Sequence, residues 1–479
     1  MTSLHAATND RQRWLALMVL CMGVLMIVLD TTIVNVALPS IKNDLKFSET
    51  ALVWVVNAYM LTFGGFLLLG GRLGDLYGHR KLFLLGIVLF TVASLACGLA
   101  NSQWLLIIAR AVQGLGGAVV SAVALSLIMN LFTVPAERAK AMGVYGSVCA
   151  AGGSIGVLLG GLLTSSLSWH WIFLVNLPIG IAVYMLCLRL LPDSKGQAAG
   201  EKLDVAGAVT ITTALMLAVY AIVNGNEVGW YSWQTLLMLG AAVVLLGVFL
   251  VLQARVAHPL MPLSLFRSRN VSVANVVAVL WAAAMFAWFF ISALYMQLVL
   301  NYTPMQVGLA FLPANLIMAA FSLGWSAKLV MMWGNKLPLA SGLLLAAIGL
   351  VWFGRAPIAG QFVEDVLPGM VLMGLGAGIA FNPMLLVAMS DVKPDQSGLA
   401  SGVVNTAFMM GGALGLAVLA SIAVAVTTSQ TGQAADAIQA VQALNAGYQS
   451  AFNVGAVFAM LAGCSSYFLL KNTTKSIAA

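Results

Sequence analysis

The chain carries fourteen apolar stretches, each near the roughly 20 residues a helix needs to cross a hydrocarbon core of about 30 Å. They lie near residues 14–38, 50–70, 82–101, 103–128, 139–165 and 170–191, then 205–224 and 231–253, then 271–299, 305–327, 337–354, 363–388, 396–427 and 446–470. Lipid offers a backbone no hydrogen-bond partner, so segments of this length and continuity must satisfy themselves as helices. The expected fold class is therefore an all-α integral membrane protein. Composition points the same way. Only 8% of the 479 residues are charged and 61% are hydrophobic, against about 25% charged in globular proteins. Too few charges remain to clothe a water-exposed surface, which excludes a soluble enzyme, a nucleic-acid-binding domain and a disordered scaffold. The five cysteines, Cys21, Cys97, Cys149, Cys187 and Cys464, fall in apolar runs at unrelated spacings, with neither a disulfide framework nor a metal-binding pattern. The first stretch is too long for the apolar core of a cleaved signal peptide and contains Asp30.

Orientation follows from counting basic residues. With the N-terminus in the cytoplasm, 18 of the 22 Lys and Arg residues fall in inside segments, three (Lys42, Lys46 and Arg355) fall outside, and Arg110 lies within a span. That is the bias of the positive-inside rule, and an even number of spans returns both termini to the cytoplasm. The polar stretch 192–204 separates the first six spans from the rest. The stretch 428–446 has helix-forming composition and is expected on the outer surface. No P-loop lysine motif or HExxH is present, so neither ATP coupling nor metalloprotease chemistry is supported.

The most specific motif is Gly71-Arg72-Leu73-Gly74-Asp75-Leu76-Tyr77-Gly78-His79-Arg80-Lys81, expected as a short inside loop between spans 2 and 3. Its glycines allow a tight turn. Asp75 and the neighbouring bases can form charge-assisted bonds that break when helices shift. A merely topogenic loop would explain Arg80 and Lys81 but not the Gly-x-x-x-Asp-x-x-Gly spacing. The motif resembles the cytoplasmic signature of the major facilitator superfamily, and fourteen spans resemble its 14-helix drug:proton antiporter branch. Further stretches agree: Leu29–Pro39 with that branch's first-helix motif, Arg110–Gly116 with its fourth-helix motif, Trp169–Gly180 with the approach to helix 6, and Ser397–Gly402 with Asn405 with the start of helix 13. A weak internal repeat places Gly78 on Gly334, Leu73 on Leu329, Arg72 on Lys328 and Arg80 on Lys336, while Asp75 meets Met331. The resemblance implies two six-helix bundles related by a pseudo-twofold axis. The expected divisions are 1–191 for the first bundle, 192–256 for a linker and central helix pair, and 257–479 for the second bundle.

Asp30 is the foremost candidate for proton coupling. A mid-span carboxylate costs about 2.5–3.5 kcal/mol on insertion scales, so such acids face a cavity or a partner. Burial disfavours the charged form of a carboxylate, which can then hold a proton and release it when the site wets. The alternative is a structural Asp30 paired with Thr31, Thr32 or Arg110. For Arg110 the resemblance implies a part in proton relay near Asp30; the alternative is a packing arginine held by carbonyls or Gln113. The two are expected to approach inside the first bundle. Span 5 carries Gly152, Gly156 and Gly160 at every fourth position, a stripe suited to backbone-to-backbone helix contact. The resemblance would make it the antiporter motif, but Val157 stands where that motif has proline, so plain packing is an equal reading. His170 replaces a usual arginine, and Phe408-Met409 replaces a common Arg-Gln pair. With Asp30 the one clear intramembrane acid, a strongly dicationic substrate is disfavoured.

Candidate substrate contacts are the polar and aromatic residues of the spans: Asn57, Tyr59 and Gln113 in the first half, and Trp288, Tyr295, Gln297, Asn382, Asn405 and Met409 in the second. Aromatics and methionines make adaptable apolar walls, and amides add a few polar contacts. The expectation is a non-enzymatic, proton-coupled exporter of small amphipathic organic compounds by alternating access, with Gly71, Asp75, Gly78, Arg80 and Lys81 as a conformational latch. Its partners would be the substrate, protons and the lipid bilayer. Neither cofactor, metal nor nucleic acid is implied, and the sequence leaves the oligomeric state open, a monomer included. The 14-helix form without targeting extensions points to a bacterial inner membrane. A dedicated carrier of one metabolite or antibiotic, and a transport-inactive membrane sensor, are the rival readings.

Overall fold

The computed structural model describes residues 10–132, 134–191, 204–257, 259–390, 392, 397–431 and 436–471. The spans are α1 (Asp10–Leu45), α2 (Glu49–Tyr77), α3 (His79–Gly98), α4 (Gln103–Leu131), α5 (Pro135–Ser166), α6 (Trp171–Leu190), α7 (Val205–Val228) and α8 (Trp233–Arg255). There follow α9 (Arg269–Val299), α10 (304–333), α11 (Lys336–Phe353), α12 (Phe362–Met389), α13 (Ser397–Thr431) and α14 (Ala437–Leu469). Among the described residues, twelve helices are long and apolar enough to cross a membrane, and Ile155–Ser166 of α5 and Pro304–Ala320 of α10 are shorter apolar helices. The expected fourteen-helix membrane architecture is thus present. Hydroxyl and carboxylate caps set many of the starts: Ser48, Ser102, Ser232 and Ser268 accept from backbone N–H groups of α2, α4, α8 and α9. Thr303 and Gln306 form a reciprocal capping box at α10.

The helices pack as two bundles with matching internal order. In the first, α1 packs on α5 and α6, α2 on α4, and α3 on α4 and α6. In the second, α9 packs on α13 and α14, α10 on α12, and α11 on α12 and α14. The repeat seen in the sequence has a backbone counterpart. Gly78 and Gly334 join α2 to α3 and α10 to α11 with φ of 96° and 72°, a left-handed conformation that a Cβ would strain. The bundles meet where α5 packs on α10 and α2 on α13. α7 lies along the α2–α13 seam, donating from Asn226 Nδ2 to Ser421 O at 2.7 Å, while α8 packs on α7 and turns Leu237, Val243 and Val244 outward.

One expectation is corrected. Residues 71–81 do not form a loop: α2 runs through Tyr77 and α3 starts at His79, so one residue, Gly78, makes the whole turn. The helix-forming composition of 428–446 is borne out on both sides of residues 432–435. α13 continues to Thr431 and α14 begins at Ala437; residues 432–435 lie outside the described ones.

The α5 stripe packs against α1. A Cβ at Gly152 would stand 2.9 Å from Val28 Cγ1, one at Gly156 would strike the Thr32 hydroxyl and stand 3.0 Å from Leu29 O, and one at Gly160 would stand 2.7 Å from Ile33 O. At Gly153, on another face of α5, a Cβ meets nothing within 4 Å. Gly156→Val is therefore expected to destabilise the protein by about 1–3 kcal/mol through overpacking, read as a lower unfolding midpoint in detergent. Gly153→Ala should leave that midpoint unchanged or raise it slightly, since alanine is the better helix former.

Candidate functional site

Asp30 lies at mid-α1 with no exposed surface, and Arg110 on α4 is 1% exposed. Arg110 and Gln113 are one helical turn apart, so both side chains point from α4 toward α1. The Arg110 Nη1 donates to Asp30 Oδ2 at 2.5 Å and to Gln113 Oε1 at 2.6 Å. Gln113 Nε2 donates to Asp30 Oδ1 at 2.7 Å, and Asn176 Nδ2, from α6, reaches the same oxygen at 3.2 Å. Ser94 on α3 donates to Phe90 O, which leaves its oxygen to accept from Gln113 at 2.8 Å and Asn176 at 3.4 Å. The Arg110 Nε donates to Val55 O of α2 at 2.9 Å, and its guanidinium carbon lies 4.4 Å from the Tyr59 ring centroid and 5.6 Å from that of Phe173. Five helices of one bundle thus converge on one carboxylate.

Asp30 and Arg110 do approach inside the first bundle. Thr31 and Thr32 are not its partners: their hydroxyls donate to the α1 backbone, Thr31 to Val28 O at 2.8 Å and Thr32 to Leu29 O at 3.1 Å. Reading the sequence missed Ser94 and Asn176. Both were visible as polar residues inside spans, Asn176 within the Trp169–Gly180 stretch, but nothing in the order of residues says that α3 and α6 bring them to α1. The arrangement holds the carboxylate with three donors in a water-excluded interior. Its charge there depends on Arg110, because a buried ion that loses its partner is strongly disfavoured. The helix-5 stripe grips the opposite side of α1 at Val28, Leu29, Thr32 and Ile33, bracketing Asp30 in sequence.

The other nominated residues scatter. Tyr59 and Gln113 belong to the charged network. Asn57 Nδ2 donates to Ala413 O at 3.0 Å across the α2–α13 seam, and Met409 lies against Gly64 in that seam. Gln297 Nε2 donates to Val36 O at 2.9 Å, and Met305 N to Ser165 Oγ at 3.1 Å, joining the bundles at the end away from residues 10 and 471. Tyr295 Oη donates to Pro357 O at 2.8 Å, and Asn382 Nδ2 to Ser322 O at 2.6 Å in a π turn of α10. Asn405 Nδ2 donates to Ser401 O of its own helix at 2.9 Å. Trp288 lines a small void of about 10 Å³ between α9, α10 and α12. At the α2–α3 elbow, Arg80 Nη2 donates to Leu188 O of α6 at 2.8 Å, Gly71 faces Ala122 of α4, and Lys81 is exposed. Asp75 falls in α2, but its side chain lies outside the described ones. Among the described residues no His/Cys/Asp/Glu cluster has the makings of a metal site.

Comparison with known proteins adds a family and a fold. The model of the Major Facilitator Superfamily matches residues 20–416. The puromycin resistance protein pur8 of Streptomyces alboniger is 38% identical over 88% of this chain and 84% of its own length. The multidrug resistance protein Stp of Mycobacterium tuberculosis is 35% identical over 87% of this chain and 77% of its own. Among solved structures, a bacterial homolog of the human lysosomal transporter Spinster, in an inward-facing and occupied conformation, superposes with a TM-score of 0.69 at 14% identity. It covers 96% of this chain and 97% of its own, which speaks to the fold alone.

Proposed function

This chain belongs to the major facilitator superfamily, and we propose that it exports amphipathic organic compounds, drugs or antibiotics, in exchange for protons across a bacterial inner membrane. It is a transporter and not an enzyme. The observation that carries proton coupling is the fully buried Asp30–Arg110 pair, joined by Gln113 and Asn176. A proton arriving on Asp30 cancels the charge that Arg110 answers, loosens α1 from α4, and so ties the protonation of one residue to the packing of the bundle. Both termini lie in the cytoplasm by the distribution of Lys and Arg. The contacts Gln297–Val36 and Met305–Ser165 then close the outer end. Residues 1–191 and 257–479 rock against each other, with 192–256 riding along the α2–α13 seam. The elbow of Gly71, Asp75, Gly78, Arg80 and Lys81 latches the alternative, inward-closed state. Asn57, Gln297 and Met409 lie on the surfaces that part as the bundles move, where substrate gains access.

The relatives favour two breadths of substrate. Stp is named for multidrug resistance and pur8 for one compound, so a dedicated antibiotic exporter is the second reading. Inverted vesicles that hold a pH gradient decide between them. Puromycin, ethidium and an aromatic polyketide would be added in turn, with vesicles lacking the protein as reference. Gradient collapse by several unrelated compounds is expected for polyspecific export, and collapse by one alone for a dedicated carrier. A gradient untouched by the whole panel would sink polyspecific export and shift weight to a carrier dedicated to another compound or working in uptake.

A further inference from the structure

The central helix pair stands apart from the charged network, yet the outer end of α7 is tied to both bundles. Asn226 and Glu227 are neighbours in sequence, and consecutive side chains on a helix point about 100° apart. Asn226 faces α13 of the second bundle. Its Nδ2 donates to Ser421 O at 2.7 Å and to Ser421 Oγ at 2.9 Å, and Ser421 Oγ donates in turn to Ile222 O of α7 at 3.2 Å. Trp230 Nε1, which can only donate, reaches Asn226 Oδ1 at 2.9 Å and so fixes which way the amide points. Ser421 is 4% exposed, which shields these bonds from water. Glu227 faces α2 of the first bundle, where Thr50 Oγ1 donates to Glu227 Oε1 at 2.7 Å. That spends the one hydroxyl proton of Thr50, so Ser48 is the donor in the 2.8 Å contact between the two hydroxyls.

The two grips differ in kind. On the α13 side the bonds are buried and include two backbone carbonyls. On the α2 side the Thr50–Glu227 bond is charge-assisted but ends on an exposed residue. Farther along α2 the contact with α7 is one of shape. A Cβ at Gly65 would strike the Thr212 hydroxyl, and that hydroxyl donates to Ala208 O of its own helix at 2.8 Å. A contact of this sort lets two helices slide. Resting on the alternating-access reading, we propose that α7 travels with the second bundle and that Thr50–Glu227 is a lock on the outer side, made when the outer end is closed and broken when the bundles part. Asn226 and Ser421 are its positioning residues, since they set where Glu227 meets α2.

Hydrogen–deuterium exchange of the full-length protein in nanodiscs, without substrate or gradient, reads this lock at a distance. Amides of 162–166 and 305–310, where α5 and α10 meet at the outer end, exchange as the bundles part. Thr50→Val and Glu227→Ala are each expected to speed that exchange by about fivefold, the scale of one hydrogen bond. The double variant should go no further than either alone, because both remove the same bond. Exchange over 218–226 should keep its wild-type rate, since α13 still holds α7. Glu227 is exposed, so Glu227→Ala carries the test if Thr50→Val does not fold. Gln297→Leu, which removes the bond to Val36 between the bundles, is the reference for rocking itself. Acceleration by Gln297→Leu but by neither lock variant overturns the lock and leaves rocking intact. Acceleration by none of the three overturns both. Effects that multiply in the double variant overturn the pairing of Thr50 with Glu227, and faster exchange over 218–226 overturns the attachment of α7 to the second bundle. Proton-coupled export is tested apart from all of these, in the vesicle assay.

Discussion

Asp30→Asn is expected to reduce substrate-driven dissipation of a pH gradient to the level of vesicles lacking the protein. The amide keeps the shape of the carboxylate and an oxygen for Gln113 and Asn176, but it cannot bind and release a proton in the working range. If Asp30 is the coupling site, what disappears is the proton-linked step and not substrate recognition. Exchange of labelled for unlabelled substrate, which needs no net proton movement, should survive in the same vesicles. A gradient collapse as large as that of wild type would make Asp30 a structural residue, and the coupling group would have to be sought elsewhere.

Arg110→Met should be the most destabilising single substitution in the first bundle. It leaves the Asp30 carboxylate, with no exposed surface, facing only the amides of Gln113 and Asn176. Removing one partner of a buried ion pair costs about 3–5 kcal/mol, because an uncompensated charge stays behind. A neutral pair of similar volume can be nearly as stable as the ions it replaces. The double substitution Asp30→Asn with Arg110→Met is therefore expected to recover most of the lost stability, measured as the unfolding midpoint in detergent, yet to remain uncoupled in vesicles. A double variant that both folds and pumps would show the pair to be only a packing device. A double variant as unstable as Arg110→Met alone would show that the arginine acts through its contacts with Val55 and Tyr59 rather than through charge.

Much of the architecture was legible because lipid imposes a simple rule on sequence. Each span must be a helix of a minimum apolar length, so its existence can be read without knowing its neighbours. The reading placed all fourteen, and the Gly78–Gly334 alignment found two elbows that turn on a positive-φ glycine. It was least informative where helices extend beyond the lipid, since water tolerates helix and loop alike. That is why the elbow near residue 78 was misjudged as a loop.

The site divides in the same way. A carboxylate and a guanidinium inside spans are conspicuous by the cost of placing them there, and Asp30 and Arg110 were singled out on that ground. Neutral polar residues carry a far smaller penalty and so give a weak signal. Ser94 passed unnoticed, Tyr59 was assigned to a substrate cavity, Gln113 was named both there and as a holder of Arg110, which it is, and Asn315 was not singled out at all. Which of them share a site depends on the rotation of each helix about its axis and on which helices are neighbours. The sequence by itself determined the spans, the excess of charge at one end of them and the two buried ions, because each is a local cost in lipid. Only the tertiary structure decided that five helices converge on Asp30 and that Trp288 and Asn315 line one small void, because contact between spans is set by packing, which no single span encodes.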